Sequence, residues 1–216
     1  YDYQNKYFFS ASFRRDGSSR FAPETRWGNF WSLGTSWRID RESFMASTAN
    51  WLSALTLKMS YGAQGNDNLG TYYASKGLYT IVSNLGENAL VSDRMAKTNL
   101  NFNVGVDFSL FNNRFSGSFD FFTRRSKDLL YSRPIAPSLG YESIDENVGA
   151  LKNTGIEMVL NGTIINQNGW VWKLGMNLTH YKNKVTELPL KDMPQSGVNK
   201  LQVGRSVYDF YMKEWA

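Results

Sequence analysis

The sequence predicts an all-β chain: an antiparallel up-and-down segment of a transmembrane β-barrel, with about seven strands, long extracellular loops and short periplasmic turns. Three observations predict it. Apolar and polar residues alternate with period two over long stretches, which puts each kind on its own side of a strand. The polar side is built mostly of Gly, Ser and Asn, the apolar side of aliphatic residues with Trp, Phe and Tyr. Long polar connections alternate with tight ones, which in an up-and-down sheet gathers every long loop at one end.

In the first predicted strand Tyr7, Phe9, Ala11 and Phe13 oppose Ser10, Ser12 and Arg14. Trp27, Trp31, Leu33, Thr35, Trp37 and Ile39 oppose Gly28, Phe30, Ser32, Gly34, Ser36 and Arg38. Leu55, Leu57, Met59, Tyr61 and Ala63 oppose Thr56, Lys58, Ser60, Gly62 and Gln64. The cleanest alternation runs from Leu100 to Leu110, where Phe102, Val104, Val106 and Phe108 oppose Asn101, Asn103, Gly105, Asp107 and Ser109. Phe115, Phe119 and Phe121 oppose Ser116, Ser118 and Asp120, and Ile156, Met158, Leu160 and Ile164 oppose Glu157, Asn161 and Thr163, with Val159 as the exception. Trp170, Trp172, Leu174, Met176 and Leu178 oppose Val171, Lys173, Gly175, Asn177 and Thr179. Phe111–Arg114 and Asn166–Gly169 read as tight turns, rich in the residues that tolerate a left-handed backbone. The link 40–52 is longer and holds one predicted helical turn at Arg41–Met45. Long polar loops are expected at about 15–26, 65–98, 126–147 and from 185 onward.

A soluble β-sandwich also alternates, but its strands run about 5–6 residues and its outer face is normally rich in Lys, Glu and Thr. Here the strands are longer. Aromatics sit toward strand ends at Trp27, Trp37, Phe102, Phe111, Phe121, Trp170 and Trp172, as expected of rings with an apolar body and a polar edge at a membrane interface. The composition removes other classes. There is no cysteine, so no disulfide scaffold, thiol chemistry or Cys-ligated zinc, and His180 is the single histidine. No metal site, cofactor or catalytic group is expected, and the chain reads as a non-enzyme. His180 reads as an interfacial ring on the lipid-facing register. The segment Gln64–Gly70 lacks the spaced carboxylates of a calcium loop and reads as a turn. Arg14–Arg20 carries three arginines and one aspartate, and the net charge of +5 is spread along the chain, so no nucleic-acid partner is expected.

An ordered series of short blocks then resembles one family. Arg14-Arg15-Asp16-Gly17-Ser18-Ser19-Arg20-Phe21 is succeeded by Arg26-Trp27-Gly28-Asn29-Phe30-Trp31-Ser32, Glu42-Ser43-Phe44-Met45, Leu57-Lys58-Met59-Ser60-Tyr61-Gly62 and Gly65-Asn66. Asn103-Val104-Gly105-Val106-Asp107-Phe108, Leu110-Phe111-Asn112-Asn113-Arg114, Asp128-Leu129-Leu130, Asn147-Val148-Gly149, Asn153-Thr154-Gly155-Ile156-Glu157, Trp172 and Asn183-Lys184-Val185 complete it. The series resembles the late-middle barrel of SusC/RagA-type TonB-dependent outer-membrane transporters. It departs from the family at Met95-Ala96-Lys97-Thr98, where a Trp-Glu pair is common, and at Ser126, where a Thr is common.

The resemblance implies that residues 1–216 are part of a barrel of about 22 strands, with the plug domain, the TonB-contacting segment and the remaining strands outside this sequence. It implies a place in the cell outer membrane among its lipids and import of a bulky nutrient, oligosaccharide or peptide. A SusD-like surface lipoprotein is the implied partner, with the TonB complex acting through the N-terminal part. The expected cargo or partner contacts are loop tyrosines, Tyr72, Tyr73, Tyr79, Tyr131 and Tyr141, whose rings can stack on sugar faces. The expected lumen-facing charges are Arg14, Arg38, Asp107, Asp120 and Glu157. These would tune selectivity, pair with one another or pack on the plug. The alternative function is a soluble all-β carbohydrate-binding or adhesion module using the same aromatics.

Overall fold

The computed structural model describes residues 1–19, 26–66, 97–134, 143–188 and 200–212. Its strands are β1 (Asp2–Tyr3), β2 (Tyr7–Gly17), β3 (Trp27–Arg38), β4 (Leu52–Asn66), β5 (Lys97–Leu110), β6 (Phe115–Pro134), β7 (Ser143–Gln167) and β8 (Trp170–Glu187). They form one eight-stranded sheet in the order β1 to β8, and every neighbouring pair is antiparallel. Consecutive pairing without a crossover is the up-and-down arrangement that the alternating connections predict.

The tight connections share one end, the turn end, and each has a local cause. Asn168 and Gly169 lie at positive φ (50° and 82°), the backbone of a two-residue hairpin matched to strand twist, while Gln4 and Asn5 (56° and 52°) lie in the three-residue connection between the paired Tyr3 and Tyr7. Between β5 and β6 three successive residues, Phe111, Asn112 and Asn113, are left-handed. Side chains hold them: Ser53 Oγ accepts from the Asn112 N–H at 2.9 Å, and Ser109 Oγ donates to Asn113 Oδ1 at 2.6 Å. The link between β3 and β4 forms two 3-10 turns, Ile39–Arg41 and Ser43–Thr48, in place of the single helical turn expected at Arg41–Met45.

The sheet differs from expectation at three places. An eighth strand, β1, is too short for alternation to reveal. The loop expected at 126–147 is mostly strand, because β6 and β7 stay paired from Leu129↔Gly149 to Pro134↔Ser143. Register shifts at Ser126/Leu129 and Leu129/Leu130 break the parity there, so a period-two reading loses the strand where the chain keeps it. β8 continues to Glu187, past the loop start expected at 185.

Packing is that of a wall. Among the described residues the buried hydrophobic side chains are Leu52, Ala63, Ala150 and Val185, while Phe13, Leu33, Met59, Phe119, Leu174, Met176 and Leu178 are exposed. A sandwich would cover this apolar face with a second sheet. Among the described residues there is one sheet, and the face lies open.

Candidate functional site

Register decides which side chains share a face. The pairings Trp37↔Leu57↔Val106↔Phe119↔Met158↔Leu178 carry one apolar row across six strands. Met59↔Val104↔Phe121↔Ile156↔His180 is the next row on the same face, so His180 lies on the apolar register. The residues between them in sequence form the polar face. There Lys58, Gly105, Asp120, Glu157 and Thr179 make one row.

An ion-paired cluster sits on that row. Lys58 Nζ donates to Asp107 Oδ1 at 2.7 Å and lies 3.2 Å from Asp120 Oδ1. Gly105 makes this geometry available, since it stands between Lys58 and Asp120 in the register and has no side chain. A Cβ there would collide with the Asp120 carboxylate and with Lys58 Cε. Glu157 faces Asp120 directly on β7 and is exposed. Like charges opposite one another destabilise a sheet, and Lys58 offsets the Asp120 side of that pair. Nearer the long-loop end the polar face turns to amides. Arg124 Nε donates to Asn101 Oδ1 at 3.0 Å, and Asn183 Nδ2 to Asn153 Oδ1 at 2.7 Å.

The other predicted charges pair locally. Arg14 Nε lies 2.6 Å from Asp16 Oδ2, and the Arg14 guanidinium stands over the Phe30 ring. Arg38 forks onto Asp40 through Nε at 3.1 Å and a second nitrogen at 2.6 Å. Asp40 Oδ1 also accepts from the Leu55 N–H at 3.2 Å, tying the link to β4. Burial pushes the Asp40 carboxyl up, but the Arg38 fork and the Leu55 N–H outweigh it and hold it below the ordinary value.

Glu42 organises the apolar side of the turn end. Its carboxylate accepts from the Tyr7 hydroxyl at 2.6 Å, from Trp37 Nε1 at 3.1 Å and from Lys6 Nζ at 3.1 Å. These donors come from β2, β3 and the first turn, so one side chain gathers the polar edges of the Tyr7 and Trp37 rings. The Tyr7, Trp37 and Lys6 donors hold its carboxyl below the ordinary value.

Of the predicted contact tyrosines, Tyr72, Tyr73, Tyr79 and Tyr141 lie outside the described residues. Tyr131 is not in a loop. It belongs to β6, where it pairs with Glu146, because the β6–β7 hairpin continues past its register shifts. Lys58, Glu42 and Gly105 were present in the sequence without a sign of their partners. Alternation puts Lys58 on the polar side, but only register puts it beside Asp107 and Asp120.

The chain matches the family described as TonB dependent receptor-like, beta-barrel, over residues 1–212. It is 33% identical over 221 residues to TonB-dependent receptor P39 of Formosa agariphila, covering 98% of this chain and 21% of that protein. It is 33% identical over 202 residues to TonB-dependent receptor SusC of Bacteroides thetaiotaomicron, covering 87% of this chain and 20% of that protein. Among solved structures, it resembles the RagAB peptide transporter with a TM-score of 0.85 and 30% identity, over 99% of this chain and 24% of that one. The "closed-closed" RagAB peptide importer gives 0.84 and 31%, over 98% and 24%. The chain thus spans about a fifth of the length of the curated relatives it matches.

Proposed function

Because the chain belongs to the TonB dependent receptor-like β-barrel family, we propose that it forms part of the wall of an outer-membrane importer of SusC/RagA type. The observation that carries this reading is the two-faced sheet. One side exposes Phe13, Leu33, Phe119, Leu174 and Leu178, as lipid contact requires, and the other holds Lys58, Asp107, Asp120 and Glu157, as a water-filled lumen requires. A soluble carbohydrate-binding module offers no use for so broad an uncovered apolar face.

The whole transporter moves a cargo too bulky for a simple pore, an oligosaccharide or a peptide; the similar solved proteins are described as a peptide importer and a peptide transporter. A SusD-like lipoprotein caps the long-loop end, and the TonB complex acts through an N-terminal part beyond this sequence. In this reading residues 1–216 are a partial barrel, completed by further strands and a plug. The loop tyrosines Tyr72, Tyr73, Tyr79 and Tyr141 are the proposed cargo or partner contacts, with Tyr131 placed at the strand margin.

The test is made in the full-length transporter, with residues 67–96 replaced by a short Gly-Ser linker. Assembly in the outer membrane is expected to be normal, while cargo uptake or lipoprotein retention falls about tenfold. Normal uptake together with normal lipoprotein retention contradicts the assignment of this segment.

A further inference from the structure

The apolar face changes chemistry toward the long-loop end in a fixed order. The row Val104–Phe121–Ile156 is hydrocarbon. One row further, Thr123 and Thr154 bond to each other through their hydroxyls at 3.2 Å, with Lys182 beside Thr154 in register. In the next row Arg125, Lys152 and Lys184 stand directly opposite one another on β6, β7 and β8. Neighbouring like charges in a sheet repel, so three cations in one row call for an anion. Glu187 meets one of them, accepting from Arg125 at 2.8 Å. Lys152 and Lys184 are exposed and have no carboxylate partner among the described residues.

A cavity of about 370 Å³ opens at this place, lined by Tyr61, Leu100, Phe102, Arg125, Lys152 and Thr186 together with Thr123. Two polar atoms of its lining residues, Arg125 Nε and Thr186 Oγ1, are buried and unpartnered among the described residues. Buried donors are ordinarily satisfied, so both point to a ligand group with acceptor oxygens. The turn end of the same face is different, because Lys6 is neutralised there by Glu42.

We propose that this cationic row is a binding site for the phosphate-bearing headgroup of a glycolipid in the outer leaflet. Acyl chain packs on Tyr61, Leu100 and Phe102. The threonine hydroxyls meet the headgroup, and Arg125, Lys152 and Lys184 take its phosphate, Arg125 through the guanidinium nitrogens that Glu187 leaves free and the ammonium groups as point charges. The face thereby carries a row of cations at its long-loop rim, while at the turn rim Lys6 is paired with Glu42. The inference rests on the proposed membrane barrel.

The test uses the full-length transporter in detergent and the double variant Lys152→Gln/Lys184→Gln. Each is mixed with lipid A bearing its phosphates, with dephosphorylated lipid A or with inorganic phosphate, and read by native mass spectrometry and thermal unfolding. The wild type is expected to retain phosphorylated lipid A about tenfold better than the variant, and neither to retain the dephosphorylated form well. Without lipid the variant unfolds at the same temperature or higher, since repulsion is relieved; with phosphorylated lipid A only the wild type gains. Equal retention by both proteins overturns the proposal, as does displacement of the lipid by millimolar inorganic phosphate, which would mark a site for the free anion. Failure of the wild type to assemble as a membrane barrel would instead strike the functional reading beneath it.

Discussion

Gly105 shows how a residue without a side chain can set an electrostatic arrangement. It leaves the space through which Lys58 reaches Asp120, so Gly105→Val should push the two apart and lower the unfolding temperature of the assembled transporter. Lys58→Met should cost about 1 kcal/mol, no more, because its side chain is 38% exposed and water screens the pair; chemical unfolding of the refolded barrel measures it. Glu42 makes a pH-dependent contribution. Its carboxyl is held below its ordinary value of 4.5, so the stabilisation is complete above that pH and is lost as pH falls through the depressed folded value. Glu42→Gln should therefore narrow the stability difference between neutral and acidic pH, read from unfolding midpoints across that range. The sequence shows these residue types but not their neighbours. Lys58 could be placed on the polar side, while its contact with Asp120 depends on which residue of β5 lies between them.

Strands were legible wherever parity is unbroken. Leu100 to Leu110 obeys the rule at every position and lies wholly within β5. β6 beyond Ser126 was illegible because shifts at Ser126/Leu129 and Leu129/Leu130 interrupt the alternation of faces between Ser126 and Pro134. β7 carries a further shift at Thr163/Ile165, where Arg114 donates to the carbonyls of Thr163 and Ile164 at 3.0 and 2.8 Å and fixes the irregularity from the neighbouring turn. Such a contact leaves no periodic trace. The two faces make opposite predictions for one substitution. Val104→Arg places a charge against lipid and should cost about 2–4 kcal/mol near the midplane. Ser118→Arg places it on the polar face, opposite Asp107 in register, and should leave assembly unchanged. The folded fraction of full-length protein, read by heat-modifiable gel migration, distinguishes them.

For the molecule as a whole, a mean hydropathy of −0.43 describes neither face, because polar loops and a polar face outweigh the apolar one in the average. β8 pairs with β7 on one side. Its other edge meets described backbone near the long-loop end, where Val185 N–H donates to the Arg205 carbonyl and the Val185 carbonyl accepts from the Gly204 N–H, both at 2.8 Å. Along the rest of that edge no strand pairs with β8 among the described residues, and a barrel closes such an edge with a neighbouring strand; the chain covers about a quarter of the solved transporters it resembles. The central claim is that one face of this sheet meets lipid and the other water. Single nitroxide labels at successive positions from 100 to 110, in the full-length transporter embedded in bilayers, test it most directly. Collision rates with oxygen should peak at 102, 104, 106 and 108 and those with a water-soluble nickel complex at 101, 103, 105 and 107, in strict antiphase. Rates that rise and fall together, or show no period of two, would contradict it.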